Sequence, residues 1–305
     1  MKKIEIIGRG KYIPQKKVDN TYLSKKFKID KNQIYDLTGI DNRWYAEKET
    51  LEDMAYMASI QAIKDANINE NMIDLIVVAS SSTSKIMPGI SFLIQSKLNV
   101  QSCMCLDVLG GCNGYINALD IARNYIAIEK ANVALVIGVD KLSKVIDEKD
   151  YSTSILLGDG AGATIIAKTD KNKLYNSYIQ SKGQEGDLLV YEAKDKLIMQ
   201  GKKIYKYAVK EVPTVIQKVL DMENLNLKDI KYILLHQSNQ RIMDAVACRL
   251  KCDKNKFITN IKEVGNTFCA SIPIVLSDIN LEEGDKIMLV GYGGGLNTGC
   301  IILEY

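Results

Sequence analysis

Two stretches of this sequence have the residue spacing of an α-helix but contain no charged side chain. They cover residues 108–119 and 264–277. In the first stretch and just beyond it, apolar residues recur at helical intervals, at Tyr115, Ile116, Leu119, Ala122 and Ile126. Because a helix without a polar face must be covered on all sides, we expect both helices to be buried between other layers of secondary structure.

The segments that flank the two charge-free helices repeat one pattern, which indicates an internal duplication. The matching apolar runs, each predicted to be a strand, are 73–79 with 230–235, 133–139 with 286–291, and 162–167 with 299–303. Aligning the two helical stretches places Cys112 opposite Asn266. The polar run 168–173 is the best candidate for a boundary, so we predict one half at residues 1–170 and a second at residues 171–305.

The order of the predicted elements indicates an α/β fold. Strands and helices alternate within each half, which favours parallel-rich sheets with right-handed crossovers. Both charge-free helices can be covered if they lie between two such sheets, with amphipathic helices outside. The sequence therefore predicts a five-layer αβαβα sandwich.

Composition and charge argue against some classes of binding partner. The chain is 47% hydrophobic and 25% charged, as is usual for a globular protein, and its net charge is only +3. The basic residues are scattered among nearly as many acidic ones, so we expect neither nucleic acid nor an anionic membrane to be the main partner. No apolar stretch approaches the ~20 residues that span a bilayer.

The cysteines indicate a reducing compartment. There are seven, without the spacing of a disulfide framework, and the first residues carry no cleavage site for export, so we predict a cytoplasmic location. Two pairs, Cys103 with Cys105 and Cys248 with Cys252, could suggest metal ligands. The chain has a single histidine and no zinc-finger spacing, so we interpret these pairs as structural thiols and expect no metal.

Cys112 lies at the turn that begins the first charge-free helix. Unpaired N–H groups and the positive end of the helix dipole at such a position favour a thiolate. A free cysteine is nevertheless most often a small buried hydrophobe, so position alone does not establish a nucleophile.

His236 is the only histidine, and it ends the predicted strand 230–235. Ligands and catalytic groups favour the carboxyl ends of parallel strands. In the duplicated fold, this end lies beside the pseudo-two-fold axis that also brings Cys112 and Asn266 together. We therefore predict a catalytic site made of Cys112, His236 and Asn266.

At these residues the sequence resembles the β-ketoacyl-[acyl-carrier-protein] synthase III family of the thiolase superfamily, over nearly the whole chain. The matching blocks are Thr38-Gly-Ile40, the Cys112 turn, 158–162, His236-Gln-x-Asn-x-Arg241, Gly265-Asn-Thr267 with Ala270-Ser-Ile-Pro273, and 291–295. Alone, the two Gly-rich blocks could suggest a dinucleotide site, but both lead into strands instead of opening a helix. The resemblance implies a thiolase-like fold of two duplicated halves, a homodimer, and no tightly bound cofactor.

The resemblance also implies a two-stage reaction. An acyl group passes from acyl-CoA or an acyl-carrier protein to Cys112, and the acyl-enzyme then condenses with malonyl-carrier protein, which loses carbon dioxide. The backbone N–H groups of Cys112 and Gly294 would receive the oxyanion of acyl transfer, and His236 with Asn266 would stabilise the enolate. The product is a 3-oxoacyl chain, in fatty acid biosynthesis or a related specialised pathway. Reversible thiolysis is disfavoured, because the loop 291–295 lacks the second cysteine of thiolases.

Several positions depart from the family pattern at the substrate entrance. Gln33 and Tyr151 stand where family members have the Trp and Arg that stack on the adenine of coenzyme A. Arg241 keeps its family residue, and with Lys206 and Arg249 it could form a basic rim for an acidic acyl carrier protein. We therefore expect the first acyl group to come from a carrier protein in preference to coenzyme A.

Met87 stands at the position that, in the family, reaches across the dimer into the acyl pocket of the other subunit. Two other functions stay open at this stage. One is an acyltransferase on the same scaffold, which would pass the acyl group to an amine, a hydroxyl or another carbon nucleophile. The other is a non-catalytic binding subunit, against which an intact set of Cys112, His236 and Asn266 argues.

Overall fold

The computed structural model describes residues 3–147, 149–192 and 196–305. The strands are β1 (Lys3–Tyr12), β2 (Lys16–Asp19), β3 (Asn42–Tyr45), β4 (Leu75–Ala79), β5 (Met104–Val108), β6 (Val133–Asp140), β7 (Gly160–Thr169), β8 (Tyr175–Ser181), β9 (Leu189–Val190), β10 (Ile198–Met199), β11 (Tyr232–Leu235), β12 (Lys286–Gly293) and β13 (Asn297–Glu304). The α-helices are α1 (Asn20–Phe27), α2 (Lys31–Thr38), α3 (Leu51–Ala66), α4 (Ile90–Leu98), α5 (Gly114–Ala127), α6 (Tyr151–Ser154), α7 (Gly201–Glu223), α8 (Gln240–Arg249), α9 (Ile261–Val264) and α10 (Ser271–Asp278).

Two main sheets repeat one strand order. The first runs β1-β7-β6-β4-β5 and the second runs β11-β12-β13-β8, so that β4, β6, β7 and β1 correspond to β11, β12, β13 and β8. An isolated parallel bridge between Ile233 and Phe257 lies beside β11, where the first sheet has β5. The predicted boundary run, 168–173, covers the last two residues of β7 and most of the turn before β8, and the division at residue 170 stays a prediction.

The prediction of parallel-rich sheets is wrong, because both sheets are mixed. β4 pairs in parallel with β5 and β6, and β11 pairs in parallel with β12. However, β7 is antiparallel to β1 and β6, and β13 is antiparallel to β12 and β8. The turn between β12 and β13 shows the physical reason: it is only Gly294–Leu296, far shorter than the roughly a dozen residues of a parallel crossover.

The two sheets enclose α5 and α10. Helix α5 contacts β4 and β6 of the first sheet and β12 and β13 of the second, and α10 likewise contacts both sheets. Helices α3 and α4 cover the outer face of the first sheet, while α7 and α8 lie outside the second, each with its own apolar core. The predicted five-layer αβαβα sandwich is confirmed.

The sequence had suggested that the second charge-free stretch is one helix, but the structure divides it. Helix α9 ends at Val264, just before Gly265, whose φ is +76°, and α10 begins only at Ser271. Between them, the Asn266 N–H donates to the Leu156 carbonyl (2.9 Å), and the Asn266 carbonyl accepts from the Gly158 N–H (2.9 Å). These bonds to a neighbouring loop hold residue 266 outside any helix.

The alignment of Cys112 with Asn266 is therefore corrected. Cys112 precedes the first residue of α5 by two positions, and the residue two positions before α10 is Cys269. Within the residues that the structure describes, no helix is long and apolar enough to cross a bilayer, and no group of three or more His, Cys, Asp or Glu residues could hold a metal ion.

Candidate active site

Cys112 lies in a single 3-10 turn, Gly111–Asn113, that joins β5 to α5. Its side chain is 4% exposed and lines a cavity of about 430 Å³. Apolar side chains form much of the wall: Leu109, Leu142, Val145, Leu189, Leu197 and Phe268. The shape and lining suit an apolar chain attached to the sulfur.

Two Gly-rich loops meet at this cysteine. A Cβ at Gly293 would come within 2.5 Å of the Cys112 backbone nitrogen, so glycine is required for the close approach. Gly111 has a φ of +55°, and a side chain there would collide with the Gly294 backbone. As a result, the backbone N–H groups of Cys112 and Gly294 both face the thiol. Their role in receiving an oxyanion stays a prediction.

Asn297, which the sequence analysis missed, joins the two loops. Its Nδ2 donates to the carbonyls of Gly110 (3.0 Å) and Gly294 (2.7 Å). The residue also lines the cavity and is 8% exposed. Its position just after the last Gly-rich block was the only signal in the sequence.

The electrostatic setting of Cys112 differs from the expectation of a thiolate. Burial, and then the buried Asp140 carboxyl, raise the pKa of the Cys112 thiol well above its usual value. The N–H groups of Cys112 and Gly294 lower the pKa, but by less. Loss of hydration therefore outweighs the N–H groups, which favours the thiol over the thiolate.

We expect alkylation of Cys112 by iodoacetamide to accelerate about tenfold per pH unit across the neutral range, because the thiolate fraction rises in that proportion below the pKa. Peptide mass mapping over time measures the rate, with the exposed Cys248 as the accessible reference. A rate that is already constant at neutral pH would mean that the N–H groups outweigh burial.

His236 follows β11 directly and is 1% exposed. Its backbone N–H donates to the Val290 carbonyl (2.8 Å), and its ring Nδ1 lies 2.7 Å from the Ser271 Oγ. The ring packs edge-on against Tyr292, with ring centroids 5.2 Å apart. Burial lowers the pKa of His236 to about 3, so the imidazole is neutral at physiological pH.

Asn266 is 3% exposed, and its side chain is oriented by the backbone. Its Oδ1 accepts a hydrogen bond from the Phe268 N–H (3.0 Å), which leaves the Nδ2 group to donate to a substrate. The Phe268 backbone, with a φ of +46°, turns sharply so that its side chain lines the cavity of Cys112.

Neither His236 nor Asn266 lines that cavity directly. The ring of Tyr292 contacts that of His236, and burial, with a smaller contribution from the charge of Cys112, raises the pKa of the Tyr292 phenol. Phe268 lines the cavity, and its backbone N–H donates to the Asn266 side chain. Sequence reasoning identified neither Tyr292 nor Phe268.

The residues predicted to contact the donor lie on the surface. Gln33 is exposed on α2, and Tyr151, at the start of α6, is 48% exposed, with its ring 6.5 Å from that of Phe27. Neither residue lines the cavity of Cys112.

The predicted basic rim is divided between two grooves. Lys206 and Arg241 line one groove of about 420 Å³, together with Lys202 and Tyr205. Arg249 lines another, beside Lys218. The reason is the length of α8, which separates Arg241 from Arg249 by about 12 Å along the helix axis. Lys202 was not predicted.

Met87 does not line the cavity of its own chain, although it was assigned to an acyl pocket. Its side chain is 87% exposed, just before α4. It points away from the core in the single chain, which leaves only the pocket of another subunit for the predicted contact.

Known proteins share this sequence and this architecture. Residues 106–183 match the family described as 3-oxoacyl-[acyl-carrier-protein (ACP)] synthase III, and residues 220–305 match its C-terminal part. The chain is 36% identical, over 100% of its length and 99% of the relative, to a beta-ketoacyl-[acyl-carrier-protein] synthase III of Clostridium acetobutylicum.

Solved structures agree. The crystal structure of 3-oxoacyl-[acyl-carrier-protein] synthase III from Aquifex aeolicus superposes with a TM-score of 0.97 at 34% identity, covering 99% of this chain and 100% of the other. The enzyme of the same name from Pseudomonas aeruginosa gives a TM-score of 0.95 at 29% identity, covering 99% and 98%. This chain is a member of the 3-oxoacyl-[acyl-carrier-protein] synthase III family.

Proposed function

We propose that this protein transfers an acyl group to Cys112 and condenses it with a malonyl thioester to give a 3-oxoacyl product. The observation that carries the proposal is the setting of Cys112, a thiol faced by the N–H groups of Cys112 and Gly294 at a cavity whose wall is partly apolar. The imidazole of His236 is neutral, and the Asn266 side chain is held by the backbone of Phe268, which lines the cavity. Relatives with this chemistry in their name match the whole chain.

In the first step, the sulfur of Cys112 attacks the thioester carbonyl of the acyl donor. The carbonyl oxygen becomes an oxyanion, which accepts hydrogen bonds from the N–H groups of Cys112 and Gly294. The bond from the carbonyl carbon to the donor sulfur then breaks. The departing thiol takes up the proton that Cys112 has lost, so an acyl-enzyme and a free carrier thiol result.

In the second step, the malonyl thioester loses its carboxylate as carbon dioxide. The electron pair of the broken carbon–carbon bond moves into an enolate, whose oxygen accepts hydrogen bonds from the His236 Nε2–H and the Asn266 Nδ2–H. The enolate carbon attacks the acyl carbonyl on Cys112, the bond to the sulfur breaks, and the departing Cys112 thiolate takes up a proton from water, which restores the thiol. A neutral imidazole serves here as a hydrogen-bond donor, without transferring its proton.

The groove formed by Lys202, Lys206 and Arg241 suits an acidic carrier protein. All three side chains are exposed. The two lysines lie on the first two turns of α7, and Arg241 lies at the start of α8. Such a patch raises the rate of association with a partner of opposite charge and weakens as salt increases.

We expect a carrier-protein thioester to be a better first donor than the matched acyl-CoA. Stacking on adenine contributes ~1–3 kcal/mol per face in nucleic-acid complexes, and Gln33 offers no such face. The assay measures 3-oxoacyl product with malonyl-carrier protein and either donor. The Gln33→Trp variant should lower the KM for acyl-CoA and leave that for the carrier thioester unchanged.

The same assay compares the contributions of Lys206 and Arg249, and it distinguishes condensation from the alternative acyltransferase activity. Lys206→Ala should raise the KM for the carrier thioester more than Arg249→Ala, which alters the other groove. Equal or better turnover with acyl-CoA at physiological salt would contradict the donor preference. An acylated amine or alcohol in place of a 3-oxoacyl product would favour the acyltransferase alternative.

We also propose a homodimer formed through β5. This strand is the edge of its sheet, and exposed apolar side chains surround it: Phe92 (52%), Met104 (38%), Leu109 (82%), Ile86 (89%) and Met87 (87%). An open strand edge and an apolar patch are both features that a second copy can cover. In such a dimer, Met87 can approach the acyl pocket of the other subunit.

A further inference from the structure

The Ser271 hydroxyl contacts the Nδ1 side of the His236 ring. Its Oγ lies 2.7 Å from Nδ1, and the residue is 3% exposed. It is the first residue of α10, and it belongs to a sequence block to which the proposed reaction assigns no task.

The hydrogen bonds around Ser271 determine which way its hydroxyl points. The Oγ accepts a hydrogen bond from the Gln237 N–H (3.3 Å). The hydroxyl has a single hydrogen, and among the described residues Nδ1 of His236 is the only acceptor recorded for it. This pattern favours Ser271 as the donor to Nδ1, and an Nδ1 that accepts this hydrogen bond carries a lone pair and no hydrogen.

The loop after His236 is held so that this arrangement persists. The Gln237 Oε1 accepts hydrogen bonds from the Thr259 hydroxyl and the Asn260 N–H (3.0 Å each), and its Nε2 donates to the Ile258 carbonyl (3.1 Å). With the side chain of Gln237 fixed on both sides, its N–H stays directed at Ser271. The edge-on ring of Tyr292 restrains the imidazole from the other direction.

We infer that Ser271 is a positioning residue that holds His236 in the tautomer protonated at Nε2. A neutral imidazole has one ring hydrogen, and if Nδ1 accepts from Ser271, that hydrogen is on Nε2. Only this tautomer presents a donor to the enolate oxygen; the other presents a lone pair. The inference rests on the enolate role proposed above for His236.

Nitrogen NMR tests the tautomer directly, because the chain contains one histidine and labelled protein gives a single pair of ring signals. In the wild-type enzyme we expect Nε2 to be protonated and Nδ1 to be an unprotonated acceptor. Ser271→Ala should yield a mixture of tautomers, and Ser271→Thr, which keeps the hydroxyl, should restore the wild-type signals.

Kinetics provide the second readout. Ser271→Ala should slow malonyl decarboxylation about 10- to 100-fold, while self-acylation of Cys112 should be unchanged. This magnitude is the usual cost of losing a residue that orients a functional histidine, as measured for metal-bound histidines. Ser277→Ala is the matched control: its hydroxyl donates to the Pro273 carbonyl (2.9 Å) in the same helix and should alter neither step.

Two results would overturn the inference. One is a wild-type spectrum with Nδ1 protonated; the other is an unchanged tautomer and an unchanged decarboxylation rate in Ser271→Ala. A different result would contradict the proposed function. If His236 has no role in decarboxylation, the His236→Ala variant would decarboxylate malonyl thioester at the normal rate, even with a protonated Nε2 in the wild-type spectrum.

Discussion

Replacing Cys112 with alanine is expected to abolish the acyl-enzyme. Cys112 is the one cysteine that lines the 430 Å³ cavity, and no other described residue there has a thiol to replace it. Loss of a catalytic nucleophile typically costs a factor of about 10⁴ to 10⁶ in rate, so no adduct should accumulate. Intact-mass spectrometry after incubation with acyl-CoA and acyl-carrier thioesters measures the adduct directly.

Cys269 provides the matched control. It is 1% exposed, and its thiol donates to the Gly111 carbonyl (3.0 Å), on the backbone beside Cys112. It does not line the cavity, and burial raises the pKa of its thiol well above the usual value. Cys269→Ala should therefore still form the adduct. An adduct that survives Cys112→Ala and maps to Cys269 would refute the assignment of the nucleophile.

The second large effect is expected for His236→Ala, which should slow malonyl decarboxylation about 100-fold or more, the usual cost of removing one oxyanion donor. Self-acylation should change far less, because that step relies on the N–H groups of Cys112 and Gly294. Asn266→Ala should show the same separation of the two steps. Rates of carbon dioxide release and of acyl-enzyme formation, measured separately, test both variants.

The neutral state of His236 adds a pH expectation to this experiment. Burial lowers its pKa to about 3, so lowering the pH from about 8 to about 5 leaves the imidazole neutral and should not slow decarboxylation through this residue. Equal loss of both steps in His236→Ala would instead mean that the imidazole chiefly activates the Cys112 thiol.

The layered fold could be predicted because a buried helix shows in its own sequence as a stretch without charged residues. The charge-free spacing around Tyr115 and Ile116 requires a covered helix, and both side chains are fully buried between the sheets. The ordered blocks around Cys112, His236 and Asn266 identified the family because the residues of each block are contiguous in the sequence.

Strand direction and the exact end of the second central helix were not predictable in that way. Whether β13 runs antiparallel to β12 depends on a three-residue turn, and Asn266, five residues before the helix, bonds to the distant 156–158 segment. Apolar periodicity within one segment shows neither the length of the turn to the next strand nor a partner more than a hundred residues away.

The sequence alone identified the family and the five layers, and it predicted Cys112, His236 and Asn266 as the reacting residues. The tertiary structure decided how those residues behave. Burial, and then the charge of Asp140, raise the pKa of the Cys112 thiol, and the tautomer that we infer for His236 depends on Ser271, which belongs to another element. Protonation depends on hydration and on charges in space, and only the folded chain brings these groups together.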